Sequence, residues 1–478
     1  MAQSQIVQIN ELQKRWWILA GASIGTFMAA LDGSIINVAL PSISDSLLAS
    51  LQVVQWVIIA YLLTICSVLP IVWKLSDAFG RYLLYNVGLI AFTVSSRLCG
   101  LSSSVSVLIA MRIIQGIGAA LLVGGNYVII ASIFPGYERG RAIGIIGAMI
   151  SLGFVTGPAL GGFVAGSYGW NCIFLLNVPL GIFGWITGFF IFPKEKIGTR
   201  VKTFDYKGPL LYIVGLHSFF YTLAHLEMWG WKSISTLVGF SLSVFSFVLF
   251  YLKKFHTSIP LLDFSLYRIQ LFRIGTITGF LSFAALFCSN VLLPFYMQEV
   301  LHLTPAVIGY TMMAYPLTMV IMARLSGWLS DRAGSFFLIN LGLMVNTLGF
   351  VQLATLPVTA SSWLIAFHLA FFGIGYGMFQ STNHANVIDS VPKKQLGAAA
   401  GMNALVTNLG MLLGISVSIS LFSTRLHRLT HQSAPLPVEG TQHPLAFVSA
   451  LHTVCWVAAG ISITALFFSS KNLQKCNV

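Results

Sequence analysis

Residues 16–41 have the sequence WWILAGASIGTFMAALDGSIINVALP and contain a single charged side chain, that of Asp32. An apolar stretch of about 20 residues is long enough to cross the hydrocarbon core of a bilayer as a helix. A carboxylate inside that core is costly, so an acid at such a position generally has a function. The stretch therefore predicts a membrane-spanning helix in which Asp32 has a functional role.

The composition of the whole chain agrees with a membrane protein. Of its 478 residues, 56% are hydrophobic and only 8% are charged, which is not typical of a soluble domain. Fourteen apolar stretches are long enough to span a bilayer. We therefore expect an all-α integral membrane protein built as one polytopic bundle. The predicted spans begin near Trp16, Leu51, Tyr82, Val105, Arg141, Cys172, Gly208, Ile234, Arg273, Ala306, Phe336, Trp363, Leu396 and Phe447.

The distribution of basic residues predicts the orientation of these spans. If the N-terminus is cytoplasmic, 20 of the 26 Lys and Arg residues fall in cytoplasmic segments, as the positive-inside rule requires. Both termini are then cytoplasmic, and topology and anionic lipid headgroups account for the net charge of +13. Because the basic residues are dispersed over many short loops, we expect no nucleic-acid partner. The six cysteines lack metal-ligand spacing, so we expect no metal site.

A short motif occurs twice in the chain. Residues 74–80 read KLSDAFG and residues 328–334 read WLSDRAG, with an offset of 254 residues. Each copy follows two spans of its own half if the second half starts near Arg273. We therefore predict an N-terminal six-helix bundle over residues 1–193, a linker with two extra transmembrane helices over 194–272, and a C-terminal six-helix bundle over 273–478.

Three further motifs follow the order of one transporter family. Residues 31–41 read LDGSIINVALP, residues 108–120 read LIAMRIIQGIGAA, and residues 153–162 read GFVTGPALGG. With the loop motif, they resemble the acidic, arginine and antiporter signatures of the major facilitator superfamily, specifically its fourteen-span drug:proton antiporters. The resemblance covers nearly the whole chain and implies the major facilitator fold, with two six-helix bundles and two inserted central helices.

The chain departs from that family's pattern at two places. In the first loop, Trp73 stands where glycine is usual, and Ala78 and Tyr82 stand where basic residues are common. We therefore expect a thinner charge network in this loop. Residues 170–181, WNCIFLLNVPLG, keep the family's Asn-Val-Pro but have Asn171 and Cys172 in place of the usual Arg and Trp.

Asp32 and Arg112 are predicted to lie at matching depth. At about 1.5 Å per residue, Asp32 lies roughly 13 Å from the outer end of its span at Pro41, and Arg112 about 10 Å from the same face. Protonation of the carboxylate in such a pair leaves the arginine without its counter-ion, which makes the pair a switch. We therefore predict proton coupling through Asp32 and Arg112. Three alternatives stay open: Asp32 caps polar backbone at a broken helix near Gly33 and Pro41 and moves no proton, Arg112 only holds its span to its neighbours, or Arg97 is the partner.

Two further groups of residues are predicted to control conformation. In the fifth span, glycine and proline permit close helix packing and a bend. The alternative there is static packing, whereas the family resemblance implies an interface that controls leak and the direction of exchange. The two loop motifs predict an inner latch, with orientation by charge as the plain alternative. The antiporter-motif residues are Gly153, Gly157, Pro158, Gly161 and Gly162, and the latch residues are Asp77, Gly80, Arg81, Asp331, Arg332 and Gly334.

A substrate cavity is expected near the midplane, between facing spans of the two halves. Each candidate for its wall has helix packing as the alternative role. Only Asp32 of the 13 acids is predicted to lie deep in the membrane, so a dication lacks counter-charges. We therefore expect neutral, monocationic or zwitterionic amphiphiles as substrates. The candidates are Tyr61, Asn126, Tyr296, Tyr315, Phe379, Asn383, His384 and Asn403.

Together with the Asp32–Arg112 pair, the family resemblance implies proton-coupled efflux of amphiphilic drugs or toxic compounds across the bacterial inner membrane by alternating access; the drug-like substrates and the bacterial membrane rest on the resemblance alone. The partners of the protein are then the small amphiphilic substrate, protons and the lipid bilayer, with no cofactor besides the proton gradient. Two alternatives stay open: a dedicated exporter of one metabolite, such as a siderophore, fatty acid or lysolipid, and a membrane sensor without transport. The need for a periplasmic adaptor also stays open. No nucleophile, phosphate loop or metal cluster is found, so we do not expect an enzyme.

Overall fold

The computed structural model describes residues 2–135, 138–193, 206–253, 261–392, 395–430 and 443–470. These residues form eighteen α-helices, and the described ranges contain no β-strand. A 3₁₀ turn covers Phe264–Arg268 and a π-helical turn covers Tyr296–Val300. The helices are α1 (Ala2–Ser46), α2 (Leu51–Val54), α3 (Trp56–Phe79), α4 (Arg81–Gly100), α5 (Val105–Ile133), α6 (Arg139–Tyr168), α7 (Asn171–Leu175), α8 (Asn177–Ile191), α9 (Lys207–Trp229), α10 (Ile234–Lys253), α11 (Gln270–Asn290), α12 (Leu293–Phe295), α13 (Pro305–Met312), α14 (Ala314–Ala333), α15 (Ser335–Leu353), α16 (Ser362–Asp389), α17 (Leu396–Thr430) and α18 (Pro444–Ser470).

Fourteen helical segments of the described chain are long and apolar enough to cross a membrane. Each begins within three residues of a predicted span, so the predicted number and positions are confirmed. Helices α1–α8 form the first bundle, α11–α18 form the second, and α9 and α10 are the inserted pair. The terminal face is the side near Arg15 and the end of α18, and the distal face is the side of residues 46–51 and 300–305.

The exact limits of the three predicted segments stay a prediction. Residues 194–205, where the first limit falls, lie outside the described residues. Helix α11 begins at Gln270, shortly before the second limit at 272/273. The order of two bundles around an inserted pair does not depend on these limits.

The repeated motif has the same backbone conformation in both bundles. Helix α3 is followed by Gly80 with φ of 91°, and α14 is followed by Gly334 with φ of 87°. Positive φ values of this kind favour glycine because it has no Cβ. The sequence repeat is therefore also a repeat of local structure, and glycine at each position serves to end the helix.

Helix α9 of the inserted pair packs against α3 of the first bundle and α17 of the second. The Tyr212 hydroxyl donates a hydrogen bond to the Cys66 carbonyl oxygen at 3.2 Å. Near the distal face, Gln52 Nε2 of the first bundle donates to the Glu227 carboxylate of α9 at 3.2 Å. One inserted helix is therefore attached to both bundles.

The seam between the bundles along α6 is closed at the distal face. A Cβ added to Gly162 would lie 2.7 Å from Gly309 Cα in α13. On the same face, Gln298 Nε2 donates a hydrogen bond to the Asp45 carboxylate at 2.7 Å. Toward the terminal face, Gly147 of α6 and Gly327 of α14 border open space. The bundles are therefore in close contact at the distal end of this seam, and the two glycines nearer its terminal end take no part in such a contact.

Candidate functional site

Asp32 is completely buried in the middle of α1. Its carboxylate accepts hydrogen bonds from Arg112 Nη1 at 2.5 Å, Gln115 Nε2 at 2.9 Å and Asn177 Nδ2 at 3.1 Å. An ionised carboxylate only accepts hydrogen bonds, so three donors suit the ionised form. Helix α1 continues past Gly33 to Ser46. The alternative that Asp32 caps a broken helix is therefore wrong.

Arg112 is the basic partner of Asp32. Its side chain is 1% exposed, and Nε donates a hydrogen bond to the Val57 carbonyl oxygen at 2.8 Å. The guanidinium carbon lies 3.9 Å from the centroid of the Tyr61 ring, which adds a cation–π interaction. Arg97, the alternative partner, is exposed on α4. The carbonyl oxygen and the ring therefore hold the guanidinium independently of the carboxylate.

Gln115 connects both members of the pair. Its Oε1 accepts a hydrogen bond from Arg112 Nη1 at 2.6 Å, and its Nε2 also donates to Ser96 Oγ at 2.7 Å. No role for Gln115 or Asn177 is predicted from the sequence. Gln115 follows Arg112 by three residues and so lies on the same helix face, and Asn177 belongs to the Asn-Val-Pro of residues 170–181. These two signals were available in the sequence.

Three glycines of the antiporter motif pack α6 against α1 beside Asp32. A Cβ on Gly153 or Gly161 would lie within 3.0 Å of the backbone of α1, and one on Gly157 would overlap the Ser34 side chain. Ser34 Oγ donates a hydrogen bond to the Gly153 carbonyl oxygen at 3.1 Å. A shift of α1 near Asp32 therefore displaces α6 as well, because the two helices are in direct contact there.

The other two residues of the motif face the second bundle. Pro158 and Gly162 both contact Gly309 of α13. Gly147, in the same helix, has no neighbour within 4 Å of an added Cβ. Helix α6 thus contacts the helix that carries Asp32 on one side and the second bundle on the other.

A cavity of about 1330 Å³, open solvent included, lies between the two bundles. Its wall includes Arg112 but not Asp32. Helices α1, α3, α5 and α6 of the first bundle and α11, α16 and α17 of the second contribute to it. Among the predicted cavity residues, Tyr61, Phe379, Asn383, His384 and Asn403 line this space.

The other three predicted cavity residues lie elsewhere. Tyr315 lines an adjoining cavity of about 860 Å³. Asn126 Nδ2 donates to the Ala22 carbonyl oxygen at 2.9 Å and also contacts Thr26 Oγ1, and the Tyr296 hydroxyl donates to the Pro357 carbonyl oxygen at 2.6 Å. The placement of Asn126 and Tyr296 in the cavity wall is therefore wrong, because both side chains are used in helix packing.

A family model described as Major Facilitator Superfamily matches residues 22–415. The chain belongs to the major facilitator superfamily. The family and the fold expected from the four motifs are thus confirmed, and so is the expectation that the chain is not an enzyme.

Similar proteins agree with this assignment to the major facilitator superfamily. The chain is 31% identical to the riboflavin transporter RibZ of Clostridioides difficile, over 97% of this chain and 99% of the relative. It is 29% identical to the multidrug transporter protein MdtP of Bacillus subtilis, over 86% of this chain and 76% of the relative. A crystal structure of an inward-facing, unoccupied bacterial homolog of the human lysosomal transporter Spinster has the same fold, with a TM-score of 0.67, 14% identity and coverage of 95% and 96%.

The predicted latch of this major facilitator is only partly described. The side chain of Asp77 lies outside the described residues, and Arg81 stacks on the Tyr82 ring at 4.9 Å. Asp331 is exposed, and Arg332 lies over the Trp328 ring of its own helix at 4.1 Å. The latch therefore stays a prediction, with Gly80 and Gly334 serving the turns that end α3 and α14.

Proposed function

We propose that this major facilitator exports amphiphilic compounds in exchange for protons by alternating access. The observation that carries the proposal is the position of the Asp32–Arg112 pair. It is the only fully buried ion pair within the described ranges, and its arginine forms part of the wall of the cavity between the bundles. One relative named as a multidrug transporter and one named as a multidrug resistance protein support export of drug-like compounds.

Protonation of Asp32 changes this wall. A proton on the oxygen that faces Arg112 Nη1 turns an acceptor into a donor, so two donors then oppose each other. Arg112 keeps the Val57 carbonyl oxygen, Gln115 Oε1 and the Tyr61 ring as partners. The arginine is therefore released from the acid without being left unpaired, and its charge becomes available at the cavity.

The glycine contacts of α6 supply a route from the proton site to the seam. Protonation of Asp32 favours a shift of α1, and Gly153, Gly157 and Gly161 pack directly on that part of α1. The other side of α6 closes the distal seam through Gly162 and Gly309. We infer that proton binding and opening of the distal seam are coupled through α6, because close-packed elements switch between discrete arrangements.

A transporter for one dedicated compound is the second candidate function. The relative named as a riboflavin transporter matches this chain over almost its full length, and the second bundle lines the cavity with carboxamide side chains. A sensor without transport has no such observation in its favour. The two transport functions differ in the breadth of compounds moved.

Location and orientation are part of the same proposal. We infer a bacterial cytoplasmic membrane and cytoplasmic termini, because the sequence has 20 of its 26 basic residues in the segments predicted to be cytoplasmic. The driving force is then the proton gradient, with no bound cofactor. Whether a periplasmic adaptor takes part is decided by assays in cells with and without an outer membrane.

The test is efflux from energised cells that make the wild-type protein, Asp32→Asn or Asp389→Asn, with and without a protonophore. The panel contains fluorescent amphiphiles and riboflavin. Asp389 is exposed at the end of α16, so it gives a matched control for the same chemical change. We expect export by the wild type and by Asp389→Asn, and background rates for Asp32→Asn and for all cells with protonophore.

Three results would contradict parts of the proposal. Efflux that persists in Asp32→Asn would show that another residue couples transport to protons. Transport of riboflavin alone favours the dedicated transporter, and the absence of flux for every compound, with the protein shown to be inserted, favours a sensor.

A further inference from the structure

The cavity between the bundles has two chemically different walls. The first bundle contributes mainly apolar groups, including Ala29, Ile58, Leu62 and Phe154. The second bundle contributes a polar strip on α16 and α17. A ligand that fills this space therefore meets hydrocarbon on one side and hydrogen-bonding groups on the other. The strip consists of Gln380, Asn383, His384, Asn403, Thr407 and Asn408.

The cavity wall provides no counter-charge for a cation. Its lining, taken from the described residues, contains no Asp or Glu, and its one permanently charged side chain is Arg112. Asp32 is 0% exposed and already binds that arginine. A cation that leaves water for this site loses hydration without a compensating charge. Of the neutral, monocationic and zwitterionic substrates expected from the sequence, the cavity wall therefore favours the uncharged ones.

The polar strip has unused hydrogen-bonding capacity. Gln380 forms no hydrogen bond to another described residue. Asn383 and Asn408 each donate to a backbone oxygen, of Gly275 and Ala404 respectively, at 3.0 and 2.8 Å. Their carboxamide oxygens accept no hydrogen bond within the described chain. A carboxamide carries both a donor and an acceptor, so the strip complements a ligand edge that alternates donors and acceptors.

Aromatic side chains lie beside this strip. Phe283 and Phe287 of α11 and Phe379 of α16 line the same cavity. Aromatic rings pack favourably on flat ring systems, through offset or edge-to-face contacts. These three rings therefore provide flat apolar surfaces for a ring system beside the polar strip.

We propose that this cavity binds uncharged, flat heteroaromatic compounds that carry neighbouring hydrogen-bond donors and acceptors along one edge, as in an imide. The edge contacts the carboxamides of α16 and α17, and the ring faces lie between the phenylalanines and the apolar wall of the first bundle. The inference rests on the proposed transport function, since it names the substrate class of the same cavity. It requires no particular role for Asp32.

The test is binding to purified full-length protein in lipid nanodiscs, measured by probe fluorescence. The first probe is 4-amino-1,8-naphthalimide, which is neutral, flat and carries an imide edge. Its N-methyl derivative lacks the imide donor, and N-methylacridinium is a permanent monocation of similar size. We expect the imide to bind about 2- to 10-fold more tightly than its N-methyl derivative, the effect of one hydrogen bond, and the monocation to bind more weakly than both.

Two variants and one matched control test the carboxamide strip. Asn408→Leu removes a carboxamide from the cavity wall, whereas Asn340→Leu removes one from α15 outside it. Both asparagines are half-buried and donate to a carbonyl oxygen one turn earlier in their own helix, Asn340 at 3.0 Å. We expect Asn408→Leu to weaken imide binding about 2- to 10-fold and Asn340→Leu to leave it unchanged. Gln380→Glu introduces a carboxylate and should raise affinity for the monocation above its wild-type value.

Equal binding of the imide and the monocation by the wild type would overturn the proposal, and so would equal effects of Asn408→Leu and Asn340→Leu. Binding of none of the probes overturns it as well. None of these outcomes touches proton-coupled export, which the efflux test of Asp32→Asn decides separately. If the imide binds as expected but efflux does not depend on protons, the proposed substrate class is supported and the proposed proton coupling is wrong.

Discussion

The two bundles repeat the same fold, but their cores have different chemistry. The first bundle surrounds an ion pair, Asp32 and Arg112, whose side chains are 0% and 1% exposed. In the second bundle, the described residues contain no ion pair, and its core has aromatic rings in edge-to-face contact, such as Phe283 and Tyr376 with centroids 5.3 Å apart. Carboxamides complete its face of the cavity.

The two bundles therefore share backbone conformation at the repeated motif but not side-chain chemistry in their cores. The turns at Gly80 and Gly334 have nearly the same φ, because ending a helix at a short loop requires the same backbone in each bundle. A buried charge requires a full set of polar partners, and four helices of the first bundle supply one. We therefore expect proton binding to belong to the first bundle and most substrate recognition to belong to the second.

The largest expected effect comes from breaking the ion pair on one side. Arg112→Gln leaves Asp32 buried without its counter-charge, which typically costs about 3–5 kcal/mol. The double variant Asp32→Asn, Arg112→Gln should recover most of that loss, because no uncompensated charge remains. Thermal unfolding of the purified proteins measures stability, and efflux measures function. Neither variant should export substrate.

Arg324→Gln is the control from the second bundle, because Arg324 is exposed on α14. We expect wild-type stability for it. A double variant that is as unstable as Arg112→Gln, or one that still exports by exchange with protons, would contradict the assignment of proton coupling to the first bundle.

A smaller effect is expected at the seam that joins the two bundles. Gly162→Ala places a methyl group against Gly309, and overpacking of this kind costs about 1–3 kcal/mol. The cost applies only when the distal seam is closed, so the change should favour its opening. Gly147→Ala, on the same helix, meets no neighbour within 4 Å and serves as the control.

Opening of the seam is measured as the alkylation rate of Ala165→Cys by a membrane-impermeant maleimide, in a background with Cys172→Ser. Ala165 is buried in the distal part of α6. We expect faster labelling with Gly162→Ala and an unchanged rate with Gly147→Ala. Equal rates in all three proteins would show that α6 does not control access at this face.

The smallest effect is expected at the contact between Arg112 and Tyr61 in the cavity wall. Tyr61→Leu removes the ring that lies 3.9 Å from the Arg112 guanidinium carbon, and a cation–π contact is worth about 0.5–2 kcal/mol. Proton-driven efflux should fall about 2- to 30-fold if this energy is lost from the coupled state. Tyr61→Phe keeps the ring and should behave as the wild type. Equal loss in both variants would assign the role to the hydroxyl group.

Much of the fold was predictable because a bilayer imposes length and polarity on every span. The fourteen spans follow from these constraints, and the division into two bundles follows from the loop motif that recurs after 254 residues. Depth along a helix also follows from residue counts, and for this reason Asp32 and Arg112 could be paired from sequence. Their contact at 2.5 Å agrees with matching depths.

The rest of the site depends on rotation about helix axes, which residue counts do not determine. Gln115 and Asn177 reach Asp32 because α5 and α8 turn these residues toward α1. Asn126 lies on a helix that borders the cavity, yet its carboxamide donates to the Ala22 carbonyl oxygen. Tyr296 follows the short α12 in a π-helical turn, and this irregular end of the span directs its hydroxyl to the Pro357 carbonyl oxygen.

Helix α9 has a mechanical consequence for any motion of the two bundles. Near the distal face, its Glu227 carboxylate accepts a hydrogen bond from Gln52 of the first bundle, and the helix also packs against α17 of the second. On the opposite edge of the same face, Gln298 of the second bundle donates a hydrogen bond to Asp45 of the first. The bundles are therefore joined at both edges of the distal face, and we expect them to separate first at the terminal face, by rotation about an axis between these two joints.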